Sequence, residues 1–214
     1  MPVAERRKRI NIYVGPGVFW NNVDQRVYIR LTPSDLETQM GYSIPSNSDP
    51  RENSIYLVPT GVVVNFTNNA SYWDIEGVDF RYRNNALHFA SGHHITIKNA
   101  KVLGGTTFIL TEAAAHDLVF DALTVDGYFP PWLAFKDIKS ATRPAHAMEV
   151  SAFVLRDSES VEIKNSTIQN VMDFLDNGGD HLSIHHNHFL EIRDDVVQLG
   201  TQYNDVEMAY NKAI

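Results

Sequence analysis

From Trp73 onward the chain repeats itself about every 22 residues, and a period of that length restricts the possible folds more than any other feature of the sequence. The unit reads apolar, any residue, apolar, any residue, turn residue, two polar positions, apolar. It runs from Trp73-Asp-Ile75-Glu-Gly77 through Phe80, and from Ile95-Thr-Ile97-Lys-Asn99 through Val102. Later copies start at Leu118-Val-Phe120, Val161-Glu-Ile163-Lys-Asn165, Leu182-Ser-Ile184-His-His186 and Val206-Glu-Met208-Ala-Tyr210-Asn211. Their first positions stand 22, 23, 43, 21 and 24 residues apart, the long step being one coil plus an insertion of about 21. Alternation with period two marks short strands that have one face inward, and the repeat leaves room for two or three such strands per coil. The expected fold is therefore all-β: a single right-handed parallel β-helix of about 22 residues per coil.

A second strand set recurs once per coil, at Ala86–Phe89, Thr107–Leu110, Ala147–Val150, Phe174–Asp176 and Val196–Leu199. Stacking coils about 4.8 Å apart puts equivalent residues in files. Ile75, Ile97, Phe120, Ile163, Ile184 and Met208 are expected to form one inward file. Glu76, Lys98, Asp121 and Lys164 form an outward file of alternating sign, which favours this register. Asn99 and Asn165, with Asn187 and Asn211 one place later, fall where stacked amides bond to one another and turns accept them.

Residues 1–70 fit the repeat poorly and are assigned to an N-terminal cap and the first coils, with residues 71–214 forming the β-helix proper. Within the first stretch Val14-Gly-Pro-Gly-Val18 reads as a turn, Thr32–Glu37 as a short capped helix, and Ile55–Val58 and Val62–Phe66 as first coils. No comparable cap follows Asn211, so the natural protein is expected to continue beyond Ile214. The balance of 18 basic against 26 acidic residues, a net −8, argues against a general nucleic-acid binder. No apolar run is long enough to span a membrane. With no cysteine, disulfides, zinc-thiolate sites and thiol nucleophiles are excluded. The basic run Arg6–Arg9 leads into no apolar signal segment, which leaves the compartment open; a missing true N-terminus would make it extracellular or periplasmic.

The strings Ile95-Thr-Ile-Lys-Asn99, Val161-Glu-Ile-Lys-Asn-Ser-Thr-Ile-Gln-Asn170 and Leu182-Ser-Ile-His-His-Asn-His-Phe189 resemble coils of the pectin-lyase-like superfamily of right-handed β-helices, over about two thirds of the chain. That superfamily holds polysaccharide lyases, glycoside hydrolases such as polygalacturonases, uronan epimerases and phage tailspikes. Asn170-Val-Met-Asp173 followed one coil later by Arg193-Asp194-Asp195 is similar to the polygalacturonase pattern of an aspartate and a following Asp-Asp pair. The resemblance implies that Asp173, Asp194 and Asp195 are catalytic, and it puts Asp176 at another acidic position of that family. Phe174 stands where the family has glycine.

Alignment of the second strands on Met148, Leu175 and Val197 gives two outward columns, His146/Asp173/Asp195 and Glu149/Asp176/Gln198. Both are expected in solvent, as one polar stripe over three coils. A close pair of carboxyl groups is what glycosidic hydrolysis uses, one protonating the leaving oxygen while the other attacks or activates water. His146, Glu149, Asp176 and Gln198 then contact substrate. The reading needs no cofactor, although the same oxygens suit calcium, whose bridging of a uronate is the lyase alternative. An inserted loop at about 127–144 adds Trp132 as a flat face for a sugar ring and Lys136 and Arg143 for carboxylates of an acidic polymer. No metal site is assigned. Strand alternation sends His185 and His186 to opposite faces or into the turn, so at most two of the histidines at 181, 185, 186 and 188 converge, and His93-His94 has no clear third ligand. The expected partner is thus a polysaccharide, cut or modified by a hydrolase or lyase, without nucleic acid or membrane. The alternative is a non-catalytic β-helix that binds glycan or serves as a structural segment.

Overall fold

The computed structural model describes residues 17–21, 23–30, 61–81, 85–112, 114–127, 150–199 and 205–214. The chain divides into two compact units, one made of Met1–Tyr56 with Pro130–Ala147 and the other of Leu57–Phe129 with Met148–Ile214. In the first unit, β1 (Gly17–Asn21) and β2 (Arg26–Arg30) pair antiparallel, Val18 opposite Ile29 and Trp20 opposite Val27. Gly17 and Val18, expected in a turn, therefore belong to a strand. The alternation Val18, Trp20, Val27, Ile29 around a polar connection is a hairpin pattern outside the coil repeat. The expected helix at Thr32–Glu37 and strand at Ile55–Val58 lie outside the described residues.

The second unit is a parallel β-solenoid of three six-stranded sheets, and its described residues contain no helix. The first sheet stacks β4 (Ser71–Glu76), β7 (His93–Lys98), β10 (His116–Asp121), β13 (Glu159–Lys164), β16 (Asp180–His185) and β19 (Val206–Ala209). A second sheet stacks β5 (Asp79–Arg81), β8 (Lys101–Leu103), β11 (Thr124–Asp126), β14 (Thr167–Gln169), β17 (His188–Leu190) and β20 (Lys212–Ala213). The third holds β3 (Val62–Phe66), β6 (Asn85–Phe89), β9 (Thr107–Thr111), β12 (Ser151–Leu155), β15 (Asp173–Asp176) and β18 (Val197–Gln198).

The repeat read from the sequence is the physical register. Trp73, Ile95, Leu118, Val161, Leu182 and Val206 are aligned partners, and so are Ile75, Ile97, Phe120, Ile163, Ile184 and Met208. In that second file the four members from Ile97 to Ile184 are fully buried, while Met208 is 45% exposed in the last coil. The 43-residue step is a single coil, because β10 and β13 pair directly. The extra residues leave after β11 and rejoin at β12. At their base, Gly127 lies so close to Asn170 that an added Cβ would stand 2.1 Å from the carbonyl oxygen, which only glycine avoids.

Apolar burial drives the stack. A spine of phenylalanines runs through the core, Phe66, Phe89, Phe120, Phe153, Phe174 and Phe189, with neighbouring ring centroids 4.5–5.6 Å apart. The corners between the first and second sheets are left-handed in every coil, at Gly77, Asn99, Ala122, Asn165, His186 and Tyr210. Asn187 and Asn211 form the expected ladder: the Asn187 amide N–H and Nδ2 both donate to Asn211 Oδ1, at 2.9 and 3.1 Å. Asn187 in turn accepts from the Ser166 amide at 2.9 Å and donates to the Ile163 carbonyl at 2.9 Å. Asn99 and Asn165 do not join a ladder. Their amides donate to carboxylates of earlier coils, Glu76 and Asp121, both at 2.8 Å, because at the left-handed corner they belong to the outward ion file.

That outward file has the expected register of Glu76, Lys98, Asp121 and Lys164, continued by His185. Lys98 donates to Asp74 at 3.0 Å and lies 3.4 Å from Glu76; Asp74 first and Glu76 second raise its pKa. Lys164 is raised by its 2.8 Å hydrogen bond to Glu162, with Asp121 adding to the effect. Partial burial pushes Glu162 upward, but hydrogen bonds with Lys164 and His185 outweigh it and hold the carboxyl below its ordinary value.

Candidate functional site

Asp173 opens β15, and the two coils on either side of it decide its surroundings. Its strand follows the buried Val171 and Met172, and it is itself only 3% exposed. In the next coil the Arg193 amide donates to the Val171 carbonyl at 3.1 Å and the Asp194 amide to the Met172 carbonyl at 2.9 Å. The ladder then changes partner. The Asp195 amide donates to Asp173 Oδ1 at 3.2 Å, and the Phe174 amide donates to the Asp195 carbonyl at 3.0 Å. A side-chain oxygen has taken the place of a main-chain one, which fixes the carboxylate against the following coil.

The three aspartates expected to be catalytic are thereby brought together. Asp173, Asp194 and Asp195 each present a carboxylate oxygen, and these lie within 4.8 Å of one another, with Asp194 and Asp195 half-buried. Such a cluster suits two kinds of chemistry. Carboxyl groups about 5 Å apart are the spacing of a nucleophile and acid at a glycosidic bond. Hard oxygens packed this closely also suit calcium, which binds them at about 2.3–2.6 Å.

Asp176 and Gln198 are partners one coil apart, as expected. Two other expectations are corrected. Asp173 is buried rather than in solvent. The stripe also does not extend a third coil through His146 and Glu149, because β12 pairs Ser151 with Asp173, Phe153 with Leu175 and Val154 with Asp176. Phe153 thus holds the register given to Met148, Ser151 that of His146 and Val154 that of Glu149. The cause is that Ser151–Leu155 is buried at every position, so it lacks the alternation on which the alignment relied. His146 and Glu149, like Trp132, Lys136 and Arg143 of the insertion, lie outside the described residues.

Among the histidines, His185 and His186 share a 2.9 Å contact between their Nδ1 atoms; His185 then meets Glu162 at 3.0 Å, while His186 stacks on Tyr210. His181 faces Asp205 at 3.4 Å instead. A different corner holds a group missed in the sequence. His94, His116 and Asp117 each present a donor atom, all within 4.8 Å of one another. The signal was available, since Ile95 and Leu118 are 23 residues apart in register, which stacks His93-His94 on His116-Asp117. Comparison with protein-family models, with curated proteins and with solved structures finds no match to this chain.

Proposed function

We propose that the chain is a carbohydrate-active enzyme on a right-handed, pectin-lyase-like solenoid, acting on a polysaccharide at Asp173, Asp194 and Asp195. The convergence of these three carboxylates within 4.8 Å, from two successive coils, is the observation that carries the reading. Backbone ladders hold both coils, so the acids keep their spacing without a mobile element. In the hydrolytic form one carboxyl group protonates the glycosidic oxygen and another attacks or activates water. Asp176 and Gln198, paired on the neighbouring strands, would line an adjacent sugar subsite. Trp132, Lys136 and Arg143 of the insertion are proposed to meet the polymer.

The same cluster favours a second form of the reading, in which the acids would hold calcium against a uronate, a basic residue would take the proton beside its carboxylate, and the glycosidic oxygen would leave to give an unsaturated sugar. A non-catalytic glycan binder is the remaining alternative, supported by the use of Asp173 Oδ1 on the Asp195 amide. Incubation with a panel of polysaccharides, scoring reducing ends and unsaturated products separately, tests all three. Hydrolysis raises only reducing ends, elimination raises both signals, and turnover of neither kind across the panel refutes the enzyme. Asp194→Asn and Asp195→Asn are each expected to lower turnover about 100-fold or more, the scale of a lost general acid or base. If calcium mediates, added calcium restores part of that loss.

A further inference from the structure

We propose that His94, His116 and Asp117 form a binding site for a divalent transition-metal cation of the zinc class, separate from the aspartate cluster. The argument starts from the backbone. Each first-sheet strand from β4 to β16 has a left-handed residue at its second position: Tyr72, His94, Asp117, Ser160 and His181. These residues are absent from the strand register, which passes from His93/His116 directly to Ile95/Leu118. The corner therefore turns His94 and Asp117 out of the strand alternation, one above the other in successive coils.

Neighbouring side chains then orient the donors. His93 and His116, which are register partners, stack with ring centroids 4.8 Å apart and planes 1° from parallel. His94 Nδ1 meets His93 Nδ1 at 2.9 Å, which leaves the His94 Nε2 to face Asp117 Oδ2 at 3.5 Å. The same Asp117 oxygen lies 2.8 Å from His116 Nδ1. A tetrahedral ion with bonds of about 2.0–2.2 Å holds its donors about 3.4 Å apart, so the His94–Asp117 edge already has that length. The shorter contact opens when an ion replaces the hydrogen bond.

The two imidazole nitrogens favour zinc and its neighbours over calcium or magnesium, and zinc also accepts the carboxylate oxygen. His93 supplies the outer hydrogen bond that a metal-bound imidazole needs to fix its orientation. Three protein donors leave a coordination position over. Beside it runs an open groove of about 520 Å³ along the outer face of the first sheet, bounded by His94, Asp117, Glu162, His181 and Ser183. A ligand lying there reaches the ion from the solvent side.

The test is titration of the chelator-treated full chain with zinc by calorimetry, paired with cobalt absorption spectra. One saturable site per chain is expected, and cobalt should give the intense visible bands of a low-coordinate complex. His94→Asn and Asp117→Asn suit the left-handed corner because asparagine accepts that conformation. Each should weaken zinc at least tenfold and abolish the cobalt bands, with unchanged circular dichroism. His186→Asn, at another corner, and Asp195→Asn, in the acidic cluster, should leave both readouts as they are. Absence of saturable binding, or equal affinity in the His94 and Asp117 variants, overturns the proposal, whatever the polysaccharide assays show.

Discussion

Asp173 accepts the Asp195 amide on its own carboxylate, at 3.2 Å, where the preceding residues of the same segment use main-chain carbonyls. One residue thus serves both the ladder and the proposed chemistry, and the two roles separate by substitution. Asp173→Asn keeps an acceptor oxygen and removes the charge. It is expected to lower turnover about 100-fold or more while urea unfolding stays near that of the parent. Asp173→Ala also removes the acceptor and should cost about 1–3 kcal/mol of stability, the scale of a buried donor left unpaired. Equal unfolding midpoints for the two variants would remove the structural half of the argument.

Glu162 gives a pH-dependent contribution whose sign is fixed. Its carboxyl is held below the ordinary value by Lys164 and His185, so its folded-state pKa is lower than its unfolded one. Stability from this source is present above the ordinary carboxylate range and is lost as pH falls through the depressed value. Glu162→Gln is expected to lower stability at pH 7 by up to about 1 kcal/mol, a discounted figure because the side chain is 32% exposed. Once the pH has fallen below that depressed value the difference between parent and variant should vanish. Thermal melts over that pH range provide the check.

Asn187 is fully buried and joins three coils through its side chain. Replacement by alanine leaves the Ser166 amide and the Ile163 carbonyl without this partner and opens a small void. A loss of about 2–4 kcal/mol is expected in urea unfolding, against less than about 0.5 kcal/mol for an exposed corner such as Tyr210→Asn. A small effect at Asn187 would mean that water replaces the amide in the ladder.

The coil repeat was legible because two forces write it twice: burial selects Ile97, Phe120, Ile163 and Ile184, and charge alternation selects Glu76, Lys98, Asp121 and Lys164. Where only one force acts, the reading slipped. Ser151–Leu155 is covered on both faces, so no alternation marks which residue opposes Asp173, and the sequence Ala147–Val150 offers a competing pattern. The three aspartates come together because Asp173 and the Asp194-Asp195 pair stand one coil apart, but burial of Asp173 depends on its neighbouring coils and leaves no local trace. His94, His116 and Asp117 were missed for a different reason. Each pair was read within its own coil, whereas the contact exists only between coils.

The phenylalanine spine also sets how the solenoid comes apart. Four of its ring contacts, from Phe66 to Phe174, each link one coil to the next, and the fifth, Phe174 to Phe189, lies within a single coil, so nearest neighbours carry the cohesion and no single layer acts as the keystone. Such a stack behaves like a column of coins. A defect in one layer weakens two interfaces and leaves the rest intact, and opening spreads by peeling from the nearest weak plane. Amide exchange should accordingly rise in steps of one coil, with the layers of Phe120 and Phe153 the slowest to yield.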